Sequence, residues 1–254
     1  MRTVLLALLL VACKKVPSAA PTPMPEAFPE VRLGDDLVVT PLAVGVWVHT
    51  STRDMGEWGR VPSNGLVVQR GRQVVVVDTA WDDEQTARLL AWVRTAVGEP
   101  TAVVATHAHQ DKMGGIGAAR EAGIPTFALV QSNAVAAERD LVPAEYALVL
   151  EEGEGAPLAD GAVELYFPGA GHTDDNLVVW VPEARVLHGG CLIRGAASKD
   201  LGNTADGDVG AWDTSVERVQ ARFPDAAMVV PSHAPVGGPD LLAHTIELVH
   251  AHEE

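Results

Sequence analysis

The residues best equipped for chemistry are crowded into one short stretch, Thr-His-Ala-His-Gln-Asp-Lys-Met-Gly-Gly at positions 106–115. His107, His109 and Asp111 stand at alternate positions just after the apolar run 101–105. A run of that length bounded by turn signals reads as a buried strand. The strand therefore ends in a tight loop carrying three ligand-type side chains. Imidazole and carboxylate suit zinc. Three such groups in five residues exceed what a structural core histidine explains, so the stretch reads as a metal loop.

Other chemistry-bearing residues lie far along the chain. Gly171-His172, Gly190-Cys191 and Ser232-His233 each follow a predicted strand, at 163–167, 186–188 and 227–230. Residues just past strand ends can converge on one edge of a sheet, where a rigid scaffold presents loop-borne ligands. Cys191 and Cys13 are the only cysteines. A lone thiol in an exported protein calls for a protective job, and metal ligation is one.

The elements that must position these groups follow from pattern. Runs at 38–39, 44–49, 66–70 and 73–77 read as strands, the last two joined as a hairpin by Gly71-Arg72. Residues 50–63 read as a long loop with Met55 and Trp58 exposed, either a mobile apolar flap over the site or a loop packed on itself. Asp82 or Asp83 caps a helix running to about 97 and closed by Gly98. A short helix at 116–122, a strand at 126–129 and a helix at 132–139 follow, after Gly114-Gly115 turns the backbone. The acidic stretch 151–161 reads as a solvated connection between two halves. The second half adds strands at 177–181 and 186–188, a helix at 209–221 behind Asp208, and a last helix from 239 to about 250.

At 254 residues and 47% hydrophobic, the chain has material for one large domain or two small ones. Eighteen basic residues against 34 acidic ones give a formal charge of -16, which repels phosphate backbones and excludes nucleic acid as a partner. Arg2 and the apolar run 4–12 have the shape of a secretory signal, too short to span a bilayer. Leu10-Val11-Ala12-Cys13 resembles the bacterial lipobox, which implies cleavage after residue 12 and acylation of Cys13; a plain signal cut elsewhere is the alternative. Several acyl chains hold a protein on a membrane where one does not. Residues 13–30, with five prolines after Cys13, form an extended tether. The chain thus divides into a signal at 1–12, a tether at 13–30 and a folded domain at 31–254.

The motifs His107-Ala108-His109-Gln110-Asp111, Gly171-His172, Gly189-Gly190-Cys191 and Ser232-His233 together resemble the metallo-β-lactamases. The likeness is to the di-zinc subclass with an Asp-Cys-His second site (class B, subclass 1), and within it looks closest to the New Delhi type. Val77-Asp78-Thr79-Ala80-Trp81 and Gly190-Cys191-Leu192-Ile193 carry that closer likeness. It implies a four-layer αββα sandwich of two similar halves, acting as a monomer in the periplasm on a lipid anchor. It also implies two Zn²⁺ ions, one held by His107, His109 and His172, the other by Asp111, Cys191 and His233. A hydroxide on the metals would open the lactam of penicillins, cephalosporins and carbapenems, with Asp111 orienting it.

Asn203, in Leu201-Gly202-Asn203, matches the family's substrate-contacting asparagine and would stabilise the oxyanion; the alternative is an ordinary turn residue. Arg194 stands where many relatives have lysine and is expected to bind the substrate carboxylate, with Lys199 as the competing cation. Trp81 is either the cleft floor or ordinary core, and Met55 and Trp58 complete the expected substrate contacts. Asp78 is expected to support the metal loop rather than to catalyse. Two other classes remain open: a thioester or lactone hydrolase of the same superfamily, against which Cys191 argues, and a non-catalytic zinc-binding lipoprotein.

Overall fold

The computed structural model describes residues 29–253. The signal at 1–12, Cys13 and the tether as far as residue 28 lie outside the described residues.

The first half runs β1 (Val31–Arg32), β2 (Leu37–Ala43), β3 (Val46–Asp54), β4 (Arg60–Arg70), β5 (Gln73–Val77), α1 (Asp83–Ala96), β6 (Ala102–Val104), α2 (Gln110–Met113), α3 (Ile116–Glu121), β7 (Thr126–Leu129), α4 (Val130–Glu138) and β8 (Tyr146–Leu148). The second half runs β9 (Glu154–Leu158), β10 (Val163–Phe167), β11 (Val178–Val181), β12 (Val186–Gly190), α5 (Val209–Arg222), β13 (Met228–Pro231) and α6 (Asp240–Glu253). One sheet holds β1 to β8 in sequence order, and the other is ordered β13-β12-β11-β10-β9.

Alternation along the strands sets the layers. In β5, Val75 and Val77 point into the core shared by the two sheets, while Val74 and Val76 meet Leu89, Leu90 and Val93 of α1. The second sheet repeats this, with Leu165 and Val186 facing the first sheet. Tyr166 and Leu187 pack under Trp212 and Val216 of α5 and Leu241 of α6. Helix, sheet, sheet, helix is the expected four-layer sandwich. Both faces of the central strands are buried, which is why β5 reads as unbroken valine.

The expected helix caps form. Asp82 accepts from Gln85 N and Asp208 from Ala211 N, each satisfying a free donor of the first turn. Gly71, at φ 59°, turns β4 into β5.

Three expectations need correction. Residues 50–63 are not a loop but the far half of the β3–β4 hairpin, paired in register from Thr50↔Asn64 to Asp54↔Arg60. This part of the ladder projects past the core, so few of its side chains bury and the hydrophobic alternation that signals a strand is missing. Gly56 and Gly59, both at positive φ, make the tip, where Met55 is 42% and Trp58 83% exposed. Residues 151–161 likewise contain β9, an edge strand whose outward residues hide its pattern. The metal loop itself is partly helical, since Gln110–Met113 forms the single turn α2.

Strand direction brings the chemistry together. β5 and β6 are parallel, as are β12 and β13, while β11 lies antiparallel to both β10 and β12. The C-terminal ends of β10, β12 and β13 therefore share one end of their sheet, and those of β5 and β6 one end of the other. β4 runs antiparallel to β5, so it adds its N-terminal residues Ser63 and Asn64 to the end where β5 finishes.

Gly65 tests how tightly this end is packed. A Cβ there would overlap His49 Nε2 and the Val77 carbonyl oxygen. Gly65→Ala is expected to cost about 1–3 kcal/mol by overpacking, read from the denaturant midpoint. An unchanged midpoint would show that the sheet yields at this point.

Candidate metal centre

The site is assembled on a buried carboxylate. Asp78 follows β5 at φ 62°, a conformation uncommon outside glycine. Its Oδ1 accepts from Thr106 N at 2.8 Å and its Oδ2 from His188 Nε2 at 2.8 Å. One side chain thereby holds the start of the metal loop against β12. The loop is also pinned from the second half: Ala108 N donates to Asp175 Oδ2 at 2.9 Å and Leu177 N to the Thr106 carbonyl at 2.7 Å.

Beside Asp78 lies Lys112, wholly buried. Its Nζ sits 3.5 Å from Asp78 and 3.2 Å from Asp111, and donates to Ser63 Oγ at 2.7 Å and to the Asn64 carbonyl at 3.1 Å. Burial pulls its ammonium pKa down, but Asp111 and Asp78 override this and raise it above the usual range. Burial pushes the Asp111 carboxyl up, and Lys112 reverses that, holding it below its ordinary value. The lysine is a fixed counter-charge to both carboxylates.

Two groups of ligand atoms result. In the first, His109 Nδ1 lies 3.1 Å from His107 Nε2 and 3.2 Å from His172 Nε2. Burial, with His107 and His172 close by, drops the His109 pKa to about 4, so its ring stays neutral and keeps lone pairs to give. In the second, Cys191 Sγ lies 3.3 Å from His233 Nε2 and 3.9 Å from Asp111 Oδ2, and His233 is 3.5 Å from Asp111. Burial alone would raise the Cys191 thiol; His233, His107 and Lys112 outweigh it and hold the thiol well below its ordinary value. His107 also lies within 4.8 Å of Asp111 and Cys191, so it stands between the groups.

Three imidazoles form one cluster, and a carboxylate, an imidazole and a thiol held toward thiolate form the other. Both donor sets fit zinc, each with three protein ligands. Several further residues shape the centre. His233 Nδ1 donates to the Pro62 carbonyl at 2.7 Å and Ser63 Oγ to Asp111 Oδ2 at 2.9 Å, so the exposed hairpin grows directly from the second group. Asn64 Nδ2 bonds the Pro231 and Ala234 carbonyls on either side of His233. His109 Nε2 meets Asp206 Oδ2 at 3.0 Å, and Asp206 pairs with Arg139 at 2.6 Å. Sequence reasoning missed all of these. Ser63 and Asn64 were hidden in a stretch without strand pattern, and nothing local links residue 139 to residue 109.

The expected substrate contacts are placed unevenly. Arg194 donates Nε to the Asp200 carbonyl at 3.2 Å, and its guanidinium lies against Gly202, next to Asn203. Burial lowers its pKa. Lys199 is exposed. Asn203 is exposed too, with its Oδ1 accepting from Ala205 N at 3.1 Å, the turn-residue geometry. Trp81 is only 5% exposed and donates its indole N–H to the Ser51 carbonyl, so of its two readings the structure favours core support over cleft floor.

Removing the counter-charge tests this account. Lys112→Met strands two buried carboxylates and is expected to cost about 3–5 kcal/mol in urea unfolding. A loss below about 1 kcal/mol would show that the carboxylates need no such partner.

Comparison with known proteins then places the chain. The model of the Metallo-beta-lactamase superfamily matches residues 58–233. A "Metallo-beta-lactamase type 2" of Bacillus cereus is 40% identical over 225 residues, 83% of this chain and 82% of the relative. Among solved structures, the metallo-β-lactamase FIM-1 of Pseudomonas aeruginosa, in its mono-zinc form, is 42% identical with a TM-score of 0.82, covering 87% of this chain and 99% of that one. A metallo-β-lactamase of Erythrobacter litoralis is 40% identical at 0.83, covering 88% and 100%.

Proposed function

Because the chain belongs to the metallo-β-lactamase superfamily, we propose that its buried centre is a two-zinc site that opens the amide bond of β-lactam antibiotics. The observation carrying this is the split of ligand atoms into two adjacent groups that share the neighbourhood of His107. His107, His109 and His172 would hold one ion, and Asp111, Cys191 and His233 the other, which is the arrangement of class B, subclass 1. The stretches around Asp78, His107 and Cys191 support a likeness to the New Delhi type within that subclass.

Zinc, when bound, acts as a Lewis acid, activating water near neutral pH and drawing electron density from a carbonyl. The protein's own residues do the rest. Asp111, held by Ser63 and Lys112, is fixed in one orientation and can accept a hydrogen bond from the attacking water. Asn203 lies on the exposed turn beside Arg194 and would donate its amide to the carbonyl oxygen on turning from Ala205. Arg194 would take the substrate carboxylate through a planar fork. The hairpin tip, with Met55 and Trp58, offers apolar cover that keeps water out. Carbapenems, with their small side chains and carboxylate, belong within the proposed range.

The proposed setting rests on the N-terminal sequence. The apolar run 4–12 and Leu10-Val11-Ala12-Cys13 support export and acylation of Cys13, with the enzyme tethered to the outer membrane and facing the periplasm. A net charge of -16 supports a soluble, monomeric catalytic domain on that tether.

Spectrophotometric hydrolysis of a carbapenem and a cephalosporin, with and without chelator, tests the activity. Turnover that chelator abolishes and zinc restores is the expected result; none on either drug overturns it. In the same assay Cys191→Ser is expected to lose one equivalent of zinc and most of its rate, and unchanged zinc content would overturn the second site. Arg194→Ala is expected to raise the Michaelis constant roughly tenfold or more, in line with losing a charge-assisted pair, with a smaller change in kcat. An unaltered Michaelis constant would point to Lys199 as the anchor.

A further inference from the structure

We infer that Arg139 is a positioning residue for the first metal, acting through Asp206 to hold His109 with its Nδ1 turned to the ion. This rests on the assignment of His107, His109 and His172 to that ion.

The geometry is a chain of three side chains from three parts of the fold. His109 Nδ1 is the atom clustered with the other imidazoles, so its ring proton must sit on Nε2. Asp206 Oδ2 lies 3.0 Å from that Nε2 and is the acceptor that selects this tautomer. The other oxygen, Oδ1, is taken by Arg139 NH2 at 2.6 Å. Asp206 belongs to a glycine-containing surface turn, where Gly207 N bonds the Thr204 carbonyl and the flanking side chains are exposed. Such a carboxylate has little else to fix its rotamer. Arg139 has a firm base, since it caps α4 with its own N–H bonded to the Ala136 and Val135 carbonyls.

The location argues against a casual surface pair. Ion pairs as exposed as this one, each side chain about a third accessible, add little to stability. This one stands on the wall of a cavity of about 380 Å³ that His109, Thr173 and Asp175 also line. Helix α4 packs on β7 and β8, and its Val135 lines the same cavity. Arg139 joins the C-terminal end of this helix to His109 through Asp206. It also balances the charge of Asp206.

The test uses the full-length protein and its Arg139→Ala, Arg139→Lys, Asp206→Ala and double variants. Zinc affinity is read by competition with a chromogenic chelator, and each site separately by cobalt absorption. Arg139→Ala is expected to weaken the first site by roughly 10-fold or more, altering the ligand-field bands while the Cys191 thiolate-to-cobalt band is unchanged. Arg139→Lys is expected to recover most of that loss. The double variant should bind no more weakly than Asp206→Ala alone, because Arg139 acts through Asp206. First-site affinity within twofold of wild type in Arg139→Ala, additive losses in the double variant, or equal weakening of both sites would each overturn the inference. Wild-type protein that takes cobalt only with thiolate character would instead overturn the ligand assignment, and the inference with it.

Discussion

The contact on which the centre depends is Lys112 wedged between Asp78 and Asp111, with all three groups out of water. Separately, each charge would be costly to bury. Together the ammonium offsets both carboxylates while each still accepts from other groups. Asp78 spends its capacity on Thr106 N and His188, so it locks the metal loop to both sheets. Asp111 spends its own on Ser63 and on the group that includes Cys191 and His233. One buried ammonium therefore lets a loop of ten residues contribute to both groups of ligand-type side chains.

The two halves of the chain have unequal shares in the centre. The first supplies three ligand-type side chains at alternate positions of one loop, and the second supplies His172, Cys191 and His233 from three separate strand ends. That works because strand direction sets which loops face the same way. The ends of β6, β10, β12 and β13 lead into the candidate ligands, while β1, β8 and β9, at the other three sheet edges, lead into none. Ligands from different halves are held to each other by cross-sheet bonds such as Leu177 N to Thr106 and Asn64 N to Ser232. Packing of the two sheets is thus a condition for the metal geometry and not merely a frame around it.

Near the centre, rigid and adaptable parts are separated. The ligand loop is mostly buried and pinned by backbone bonds at Thr106, Ala108, Lys112 and Gly115. The β3–β4 hairpin tip and the turn at 200–207 are exposed, and they carry Trp58, Met55, Asn203 and Asp206. Each is nonetheless tied to a ligand at its base, the hairpin through Pro62 and His233, the turn through Asp206 and His109. Motion in either element is coupled to the position of one imidazole.

Sequence alone determined the residue types at the centre, the strand-end placement of His172, Cys191 and His233, helix caps at Asp208 and at Asp82 or Asp83, and two rounds of strands and helices, while the αββα layering came from the family resemblance. These are legible because ligand chemistry, capping and alternation are local properties. What it left open was decided by contacts between distant positions. Residues 50–63 read as a loop because their strand pairing rests on backbone hydrogen bonds, which leave no mark in side-chain pattern. Trp81 had two readings until burial against β3 favoured one. Asp206, Arg139 and Ser63 carry no motif at all, since a hydrogen-bond partner is defined by where folding puts it. Periodicity and ligand spacing are written along the chain; the partners that orient a ligand exist only once two sheets have met.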